Sequence, residues 1–409
     1  MKRFLFTSAL LLSLMIFMTG CTGILNDVSD AINGTVTPAF DAGSDTELVT
    51  QNELDMYPSV PENVTEEFNG DLEGLYYYDH LSTEDRLIYT QMLYILQGMM
   101  EDVVISTMDE AQMDRVFNCV LYDHPELFYV EGYNYTRYLI GNTPQKMTFS
   151  GNYNMTLDEV NAHVERINAY IAGFSDALKN NVDNIDDYNI IKFVYEYIIK
   201  GTEYDMSAEY NQSIVSVIEN GRSVCSGYSK TAQLLLNSCG IKTTTVQGFV
   251  KNGESHSWNL VLADGRYYYM DVTWGDASYT LRDKSDELAN SLPPVNYNYL
   301  LITTNQIAET HQFNCPVELP YCESMEDNYF VREGLYFTAV DDQLLWQAFN
   351  RAYNKEQEYI MLKMDNADCY MQMRDHLLDD QKIFDFIISR DGSVSYAENR
   401  DQLYMIFWI

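Results

Sequence analysis

The chain has 409 residues, of which 61 are acidic and 25 are basic, and its formal net charge at pH 7 is −36. A field of this sign repels phosphate backbones, so the composition excludes nucleic acid as a partner. The length beyond a flexible N-terminal segment, roughly 340 residues, indicates two or three compact units.

The N-terminus has the pattern of a secretory signal. Lys2 and Arg3 precede a mostly apolar run over residues 4–18, which is too short to cross a bilayer comfortably as a helix. The run leads into Met-Thr-Gly and then Cys21, which resembles the lipobox of bacterial lipoproteins, with Met where leucine is usual. The resemblance implies that residues 1–20 are a lipoprotein signal peptide and that Cys21 is lipidated. An ordinary cleaved signal with a chance cysteine is the alternative.

An acidic segment follows the signal. No Lys or Arg occurs from Thr22 to Asp85, and apolar periodicity is weak as far as about Gly70. Such a composition is typical of solvated chain, so we expect residues 21–70 to be a flexible tether. The tether would hold a folded body away from the outer face of the cell membrane.

The next region, 71–183, is predicted to be mainly helical. Ser82 is a suitable N-cap for one helix, and a second helix is expected from about Leu157 to Leu178. The His124-Pro125 pair indicates a turn that leads into aromatic strands.

Residues 184–320 are predicted to form a helix-and-sheet domain. One amphipathic helix ends near Gly201, and another begins at Cys225 and stops at Gly240, where a left-handed C-cap is expected. Three strands follow this second helix: Thr243–Val250, Ser255–Leu262 and Arg266–Thr273.

The C-terminal residues, 326–409, have the pattern of a small α/β unit. Two segments are predicted to be strands before the last one, two to be helices, and the final "QLYMIFWI" to be a buried strand. This unit contains no recognisable chemical motif.

The seven cysteines form no CxxC or CxxH pattern, so we predict no metal site and no cofactor. Cys315 and Cys322 are close enough in sequence for a disulfide, and that alternative stays open. Cys225 lies at the N-terminal tip of a predicted helix, where unpaired N–H groups and the macrodipole favour a thiolate. Cys239, at the other end of this helix, lies where the dipole disfavours that charge.

The hairpin that follows offers a base and an acid for such a thiolate. His256 lies near the start of one strand and Asp271 near the end of the next. A two-residue loop at 263–264 places them directly opposite each other, and a loop at 264–265 shifts the pairing by two residues on the same face. Both registers predict a histidine–carboxylate pair. Asp276 is a competing acid, but we expect the strand to end before it.

The segments "GRSVCSGYSKTAQLLLNSCGI" and "GESHSWNLVLADGRYYYMDVTWGD" resemble the bacterial transglutaminase-like domain, a branch of the papain-like cysteine protease superfamily. The shared features are a Val-Cys-x-Gly-Tyr segment that opens a helix, a His-x-Trp-Asn strand and an Asp-x-Thr-Trp strand. The resemblance is strong from about Asp186 to His311. It implies an α+β fold whose core is a cysteine-bearing helix packed on an antiparallel sheet.

The resemblance also implies the roles of three residues. Cys225 would be the nucleophile, His256 the general base and then the acid, and Asp271 the orienting group. The backbone N–H of Cys225 is a reasonable oxyanion donor, and no side-chain donor can be identified. Aromatic residues beside these motifs are candidates for the walls of a substrate cleft, with core packing as the alternative: Trp258, Trp274 and Tyr228.

Together these features predict a lipid-anchored, extracytoplasmic cysteine enzyme. We expect it to cleave or transfer amide acyl groups of a peptide or protein, for which cell-wall peptide is one option. Hydrolysis is favoured over amine transfer because water is the abundant acceptor outside the cell. The alternative is a transglutaminase-like module that only binds or scaffolds, although a scaffold has no need for all three catalytic residues.

Overall fold

The computed structural model describes residues 41–68, 70–276, 293–388 and 392–409. These residues form three four-stranded sheets and one pair of two-residue strands, with helices packed against the sheets. The combination of helices with mainly antiparallel strands confirms the predicted α+β class. The predicted lipidation site, Cys21, lies outside the described residues. In the part of the chain that is described, no helix is both long and apolar enough to span a membrane.

The N-terminal unit is a four-stranded sheet covered by helices, and within residues 71–183 the helical residues outnumber those in strands. Its elements are β1 Asp41–Leu48, β2 Val103–Val104, β3 Val130–Ile140, β4 Thr143–Tyr153, α1 Thr83–Gln97 and α2 Glu110–Asp123, with single turns of helix at Gln51–Leu54, Val64–Glu67 and Tyr76–Asp79. The strand order is β1-β3-β4-β2, and only the β1–β3 pair of this sheet is parallel. The predicted N-cap of α1 is confirmed, since the Ser82 hydroxyl accepts the Asp85 N–H.

Strand β1 lies inside the segment that the sequence predicted to be a flexible tether, so the tether prediction is wrong for residues 41–68. All eight residues of β1 pair with β3, from Asp41 opposite Gly132 to Leu48 opposite Leu139. Its described side chains are exposed or half-buried, so no apolar alternation marks the strand in the sequence. Main-chain hydrogen bonds to a distant strand hold it in place.

The central unit contains the predicted cysteine-bearing helix and its sheet. Its elements are α3 Leu157–Asn181, α4 Asp187–Gly201, α5 Cys225–Ser238, β5 Glu203–Tyr204, β6 Arg222–Ser223, β7 Thr243–Val250, β8 Ser255–Ala263, β9 Arg266–Met270 and β10 His311–Phe313. The four-stranded sheet has the order β10-β7-β8-β9 and is antiparallel throughout. Helix α5 packs on β7 and β8 through a buried apolar face. It stops where predicted, because Gly240 adopts a left-handed φ of 82°.

The turn between β8 and β9 sets the register of the hairpin. Asp264 and Gly265 both have positive φ, 47° and 78°, as the tight turns favoured in two-residue hairpins require. Ala263 therefore pairs with Arg266 and Asn259 with Met270, which is the second of the two predicted registers. The strand ends at Met270, earlier than the predicted Thr273.

The C-terminal unit is a further sheet flanked by helices. Its elements are β11 Tyr336–Phe337, β12 Tyr359–Met364, β13 Ser395–Asn399, β14 Tyr404–Trp408, α6 Asp342–Asn354 and α7 Ala367–Arg374, preceded by single turns of helix at Thr304–Ala308 and Tyr329–Arg332. The strand order is β11-β12-β14-β13. Strand β13 was not predicted, because only one of its five residues, Ala397, is buried.

Both faces of the central sheet are covered. Along β8, Trp258 and Leu260 belong to a hydrophobic core shared with the N-terminal unit, whereas Val261 and Ala263 belong to a core shared with α4, α5 and the C-terminal unit. This alternation follows the period of two of a strand. An antiparallel sheet commonly leaves one face to solvent, so the double burial shows that all three units pack around the central sheet.

The cysteines of the described residues are all free thiols. The Cys315 sulfur lies 3.5 Å from the Tyr77 hydroxyl, and the Cys322 sulfur lies 3.6 Å from the carbonyl oxygen of Pro320. The disulfide that the sequence left open between these two cysteines is therefore not formed in this structure.

Candidate active site

Cys225 is the first residue of α5. The preceding residue, Val224, is extended, and its N–H donates to the Asn211 carbonyl at 3.2 Å. The N–H groups of the first helical turn have no partner within a helix, and the positive end of the helix dipole lies at this point. The half-buried Cys225 thiol thus lies where a helix stabilises negative charge.

His256 is the second residue of β8, and its side chain is only 4% exposed. Its Nε2 lies 2.8 Å from Oδ2 of Asp271, and the imidazole is also hydrogen-bonded to the Cys225 thiol. Because the carboxylate occupies Nε2, Nδ1 is the ring nitrogen that faces the sulfur. The structure therefore brings the three residues predicted as catalytic into one hydrogen-bonded series.

The charges of these groups stabilise one another. Burial alone would raise the pKa of the Cys225 thiol, but its hydrogen bond to His256, the imidazolium charge and the Ser257 N–H together lower that pKa below its usual value. Burial opposes charge on His256 as well, yet the Asp271 carboxylate and the Cys225 thiolate raise its pKa to about 10. Both shifts therefore favour a thiolate–imidazolium pair over the neutral thiol and imidazole.

Asp271 is fully buried and begins the single helical turn Val272–Gly275. Its Oδ1 accepts the Trp274 N–H at 3.0 Å, and its own N–H donates to the Tyr299 carbonyl at 2.9 Å. Burial would raise the pKa of this carboxyl, but the two histidines beside it hold the pKa well below its ordinary value. The competing acid, Asp276, accepts a hydrogen bond from the buried Tyr228 hydroxyl at 2.7 Å.

A second histidine, His311, was not predicted to belong to the site. Its side chain is fully buried, and its Nε2 lies 3.0 Å from the same Asp271 oxygen that His256 contacts. It reaches this position because β10 pairs with β7, with His311 opposite Val250. Strand β10 has only three residues and lies about sixty residues after β7 in sequence. The position of His311 could therefore be predicted only from knowing that these strands pair and which face of the sheet each residue occupies.

Two of the predicted cleft residues are core residues instead. Trp258 is fully buried, and its ring lies 4.8 Å from that of His311 and 5.6 Å from that of Phe313, between ring centroids. Tyr228 is also fully buried and donates to Asp276. Both predictions were wrong. The alternation of side chains along β8 and the helical period of α5 direct these two side chains toward the packed cores.

Trp274 is the one predicted cleft residue that is partly exposed. Its ring centroid lies 4.9 Å from that of His311 and 6.0 Å from that of His256, and it contacts Tyr299 edge-on at 5.2 Å. It therefore covers the histidine pair on the side nearer to solvent, which is compatible with a role in a cleft wall.

One group of side chains in the described residues has the composition of a metal site. The ligand atoms of His256, Asp271 and His311 all lie within 4.8 Å of one another. However, the two histidine nitrogens lie 2.8 and 3.0 Å from one carboxylate oxygen, which is the geometry of N–H···O hydrogen bonds. A bound zinc ion would need those nitrogens deprotonated and about 2.0–2.1 Å from the metal, so the observed arrangement fits hydrogen bonding better.

Lys230 brings a positive charge near the nucleophile. Its ammonium donates to the Gln212 carbonyl at 3.1 Å. Burial lowers the pKa of Lys230 to about 8, although the Cys225 thiolate favours its charged form. A protonated Lys230 therefore adds to the helix dipole in stabilising a thiolate at Cys225.

Comparison with known proteins agrees with this site. Residues 176–272, which include all three predicted catalytic residues, match the family model of the transglutaminase-like superfamily. The kyphoscoliosis peptidases of Mus musculus and Homo sapiens are each 25% identical to this chain over 105 residues, a stretch that covers 22% of the chain and 16% of each relative. The chain thus spans about a sixth of the length of these curated relatives.

Among solved structures, a crystal structure described as a TGase aligns with 38% of this chain and 56% of its own, at 17% identity and a TM-score of 0.26. The family model confirms the resemblance seen in the sequence motifs for residues 176–272, which are similar to the transglutaminase-like superfamily.

Proposed function

We propose that this protein is a cysteine enzyme that cleaves or transfers peptide or other amide acyl groups through an acyl-enzyme at Cys225. The observation that carries the proposal is the hydrogen-bonded series from the Cys225 thiol through His256 to Asp271, at the N-terminus of α5. A nucleophile, a base within reach and a third group that orients the base are the parts that covalent acyl transfer needs.

Acylation would begin from the thiolate–imidazolium pair. The Cys225 sulfur attacks the amide carbonyl carbon, and the carbonyl oxygen becomes an oxyanion. The Cys225 backbone N–H, at the helix N-terminus, is our candidate donor for this oxygen. As the C–N bond breaks, Nδ1 of His256 gives its proton to the leaving amine, and a thioester remains on Cys225.

Deacylation would use the now neutral His256 as a base. The imidazole removes a proton from water or from an amine, which attacks the thioester carbonyl, and the sulfur leaves as a thiolate beside a reprotonated His256. Asp271 keeps Nε2 protonated throughout and stabilises the imidazolium. Hydrolysis is favoured over amine transfer only because water is the more abundant acceptor outside the cell.

We further propose that the enzyme acts at the outer face of the cell membrane, anchored through a lipid on Cys21. The support is the basic N-terminus, the short apolar run and the lipobox-like residues that precede this cysteine. In that location, a surface protein or cell-wall peptide is the expected substrate class.

Selective alkylation tests the nucleophile. Cys225 and Cys239 lie at opposite ends of α5 and both are partly exposed, but burial raises the pKa of Cys239. We expect iodoacetamide at pH 6 to label Cys225 and not Cys239, and Cys225→Ala to abolish this labelling while Cys239→Ala leaves it intact. Equal labelling of the two thiols, or none at Cys225, would exclude the proposed enzyme and favour a non-catalytic binding module.

Product analysis tests the reaction type. Candidate peptides are incubated with the enzyme and an excess of a primary amine, with Cys225→Ala as the control, and the products are analysed by mass spectrometry. We expect mainly hydrolysed amides. A predominance of amine adducts would contradict the preference for water and identify an amine transferase.

A further inference from the structure

The mechanism above gives no task to His311, although this residue lies at the centre of the site. Its side chain is fully buried, and its Nε2 contacts the same Asp271 oxygen that orients His256. A buried polar ring that only filled space would not need two polar partners, yet His311 has one on each nitrogen. The second is the Thr310 hydroxyl, 2.8 Å from Nδ1.

The partners of His311 belong to a longer series of hydrogen bonds. The side-chain amide of Gln402 donates to the Tyr299 hydroxyl at 2.7 Å, and Tyr299 is hydrogen-bonded to the Thr310 side chain. Gln402 belongs to the turn between β13 and β14, so the series begins in the C-terminal unit. It ends at the Asp271 carboxylate in the central unit.

The chemistry of the end groups fixes the direction of this series. An amide NH₂ can only donate, so the Tyr299 oxygen accepts from Gln402 and the hydroxyl hydrogen of Tyr299 is directed to Thr310. The Thr310 oxygen lies 2.8 Å from Nδ1 of His311 and 3.4 Å from the Ile307 carbonyl oxygen, so the shorter contact places the Thr310 hydrogen on the Nδ1 side. At the other end, a carboxylate can only accept, so Nε2 of His311 carries the hydrogen. Each group therefore donates toward Asp271, and His311 is held in its Nε2–H tautomer.

We propose that His311 is a positioning residue that fixes the Asp271 carboxylate for His256, and that the C-terminal unit keeps it in its donating tautomer through Gln402 and Tyr299. The inference rests on the proposed function, since positioning matters only if His256 serves Cys225. With Oδ1 held by the Trp274 N–H and Oδ2 by two imidazoles, the carboxylate cannot rotate without losing a hydrogen bond.

The position of Gln402 is itself well defined. Its N–H donates to Oδ1 of Asn399 at 2.9 Å, and the Asn399 amide donates to Oε1 of Gln402 at 3.3 Å. This pair of contacts orients the Gln402 amide so that its NH₂ faces Tyr299. The turn between β13 and β14 of the C-terminal unit thus places one donor, the Gln402 amide, against the Tyr299 hydroxyl.

Loss of the His311 donor should have a positional effect. Without it, the carboxylate loses one of its three partners and can move away from the His256 ring, so it holds the imidazolium less well and a thiolate at Cys225 should form only at higher pH. Three other titratable groups interact with members of this cluster, and Asp276 interacts with the first of them: Tyr195, Lys230 and Tyr299. All of these groups are unchanged in the His311 and Thr310 variants, and Tyr299→Phe removes only the Tyr299 hydroxyl.

The test is the pH dependence of Cys225 alkylation by iodoacetamide, which needs no substrate. His311→Leu removes the donor, whereas His311→Gln places an amide N–H near the position of Nε2. We expect His311→Leu to move the acid limb of the alkylation profile upward by about one pH unit, which is a loss of about tenfold in the alkylation rate near pH 6. A shift of this size corresponds to the loss of one hydrogen bond to a charged group. His311→Gln should stay within about threefold of the wild type.

Two further variants address the C-terminal contribution. Tyr299→Phe and Thr310→Val keep the shape of each side chain but interrupt the series, and we expect each to shift the limb in the same direction by less than His311→Leu. Thermal unfolding would show whether His311→Leu is folded. If it is not, Tyr299→Phe and Thr310→Val still test the proposal.

The outcomes separate the two proposals. An unshifted profile in folded His311→Leu, or an equal shift in His311→Leu and His311→Gln, would overturn the positioning role while leaving Cys225 as the nucleophile. Unshifted profiles in both Tyr299→Phe and Thr310→Val would overturn the proposal that the C-terminal unit fixes the tautomer of His311. If the wild-type thiol itself shows no acid-shifted alkylation, the proposed function fails and this inference fails with it.

Discussion

At the scale of single residues, the charge of Asp271 is the feature that the catalytic proposal most depends on. The carboxylate is fully buried and accepts three hydrogen bonds, two of them from imidazoles. Asp271→Asn preserves its size but removes the charge that supports the His256 imidazolium. We expect turnover of a peptide substrate to fall by about 10²- to 10⁴-fold, by analogy with carboxylate removal in serine triads.

Asp276→Asn is the matched control for this substitution. It removes the same charge five residues further along, from a carboxylate that accepts the Tyr228 hydroxyl. We expect turnover to fall by about tenfold or less, the scale of roughly 1 kcal/mol that one cap or turn hydrogen bond contributes. If Asp276→Asn is the more damaging change in folded protein, the orienting role belongs to Asp276 and our assignment is contradicted.

The pKa shifts predict different pH profiles for alkylation and for amide turnover. The lowered pKa of Cys225 makes both reactions rise with pH below the usual thiol range. Above the pKa of His256, about 10, the imidazole loses the proton that the leaving amine needs. Turnover should therefore fall as pH rises through about 10, whereas alkylation, which needs only the thiolate, should not. Parallel measurement of both rates from pH 4 to pH 11 checks this, and a simultaneous alkaline loss would contradict the acid role of His256.

At the scale of elements, the sequence predicted those parts of the fold that depend on local periodicity. Helix α5 and its stop at Gly240, the N-cap of α1 and the β8–β9 hairpin all follow from residues within a few positions of each other. Strands β1, β10 and β13 were missed, because each is defined by its partner in a sheet rather than by its own pattern. His311 was missed for the same reason, since it enters the site only through the pairing of β10 with β7.

The β10–β7 pairing depends on a glycine. A Cβ added at Gly248 would lie 1.9 Å from the Gln312 carbonyl oxygen and 2.7 Å from the ring of Trp258. We therefore expect Gly248→Ala to displace β10, to lower the free energy of unfolding by about 1–3 kcal/mol, as overpacking does, and to slow Cys225 alkylation near pH 6.

Gly173→Ala is a suitable control, because Gly173 lies in the middle of α3 and a Cβ added there would have open space around it, with no neighbouring atom within 4 Å. There alanine should leave stability unchanged or raise it by up to about 1 kcal/mol, since it is the better helix former. Urea unfolding of the two variants gives the comparison, and equal stability of Gly248→Ala and wild type would show that β10 tolerates a side chain there.

At the scale of the whole molecule, the anchor proposed at Cys21 would determine where the proposed enzyme acts. Cys21→Ser removes the sulfur that would carry the lipid but keeps the size of the residue. We expect this variant to leave the membrane fraction or to remain unprocessed, which fractionation and intact-mass measurement would detect. Serine at nearby Thr22 is the control and should not alter fractionation. A Cys21→Ser protein that is processed and fractionates like the wild type would contradict the lipid anchor.

The double burial of the central sheet has a consequence for how such a protein can diversify. The matched segment 176–272 resembles a module that could be exchanged between proteins, yet both faces of its sheet are covered by side chains from outside the segment. A gene fusion that carried this segment alone would expose two hydrophobic surfaces and would lose His311 and Gln402. The segment is therefore expected to depend on both flanking units for its stability, so that a new specificity is more easily gained in loops at the edge of the site than by moving the segment into another protein.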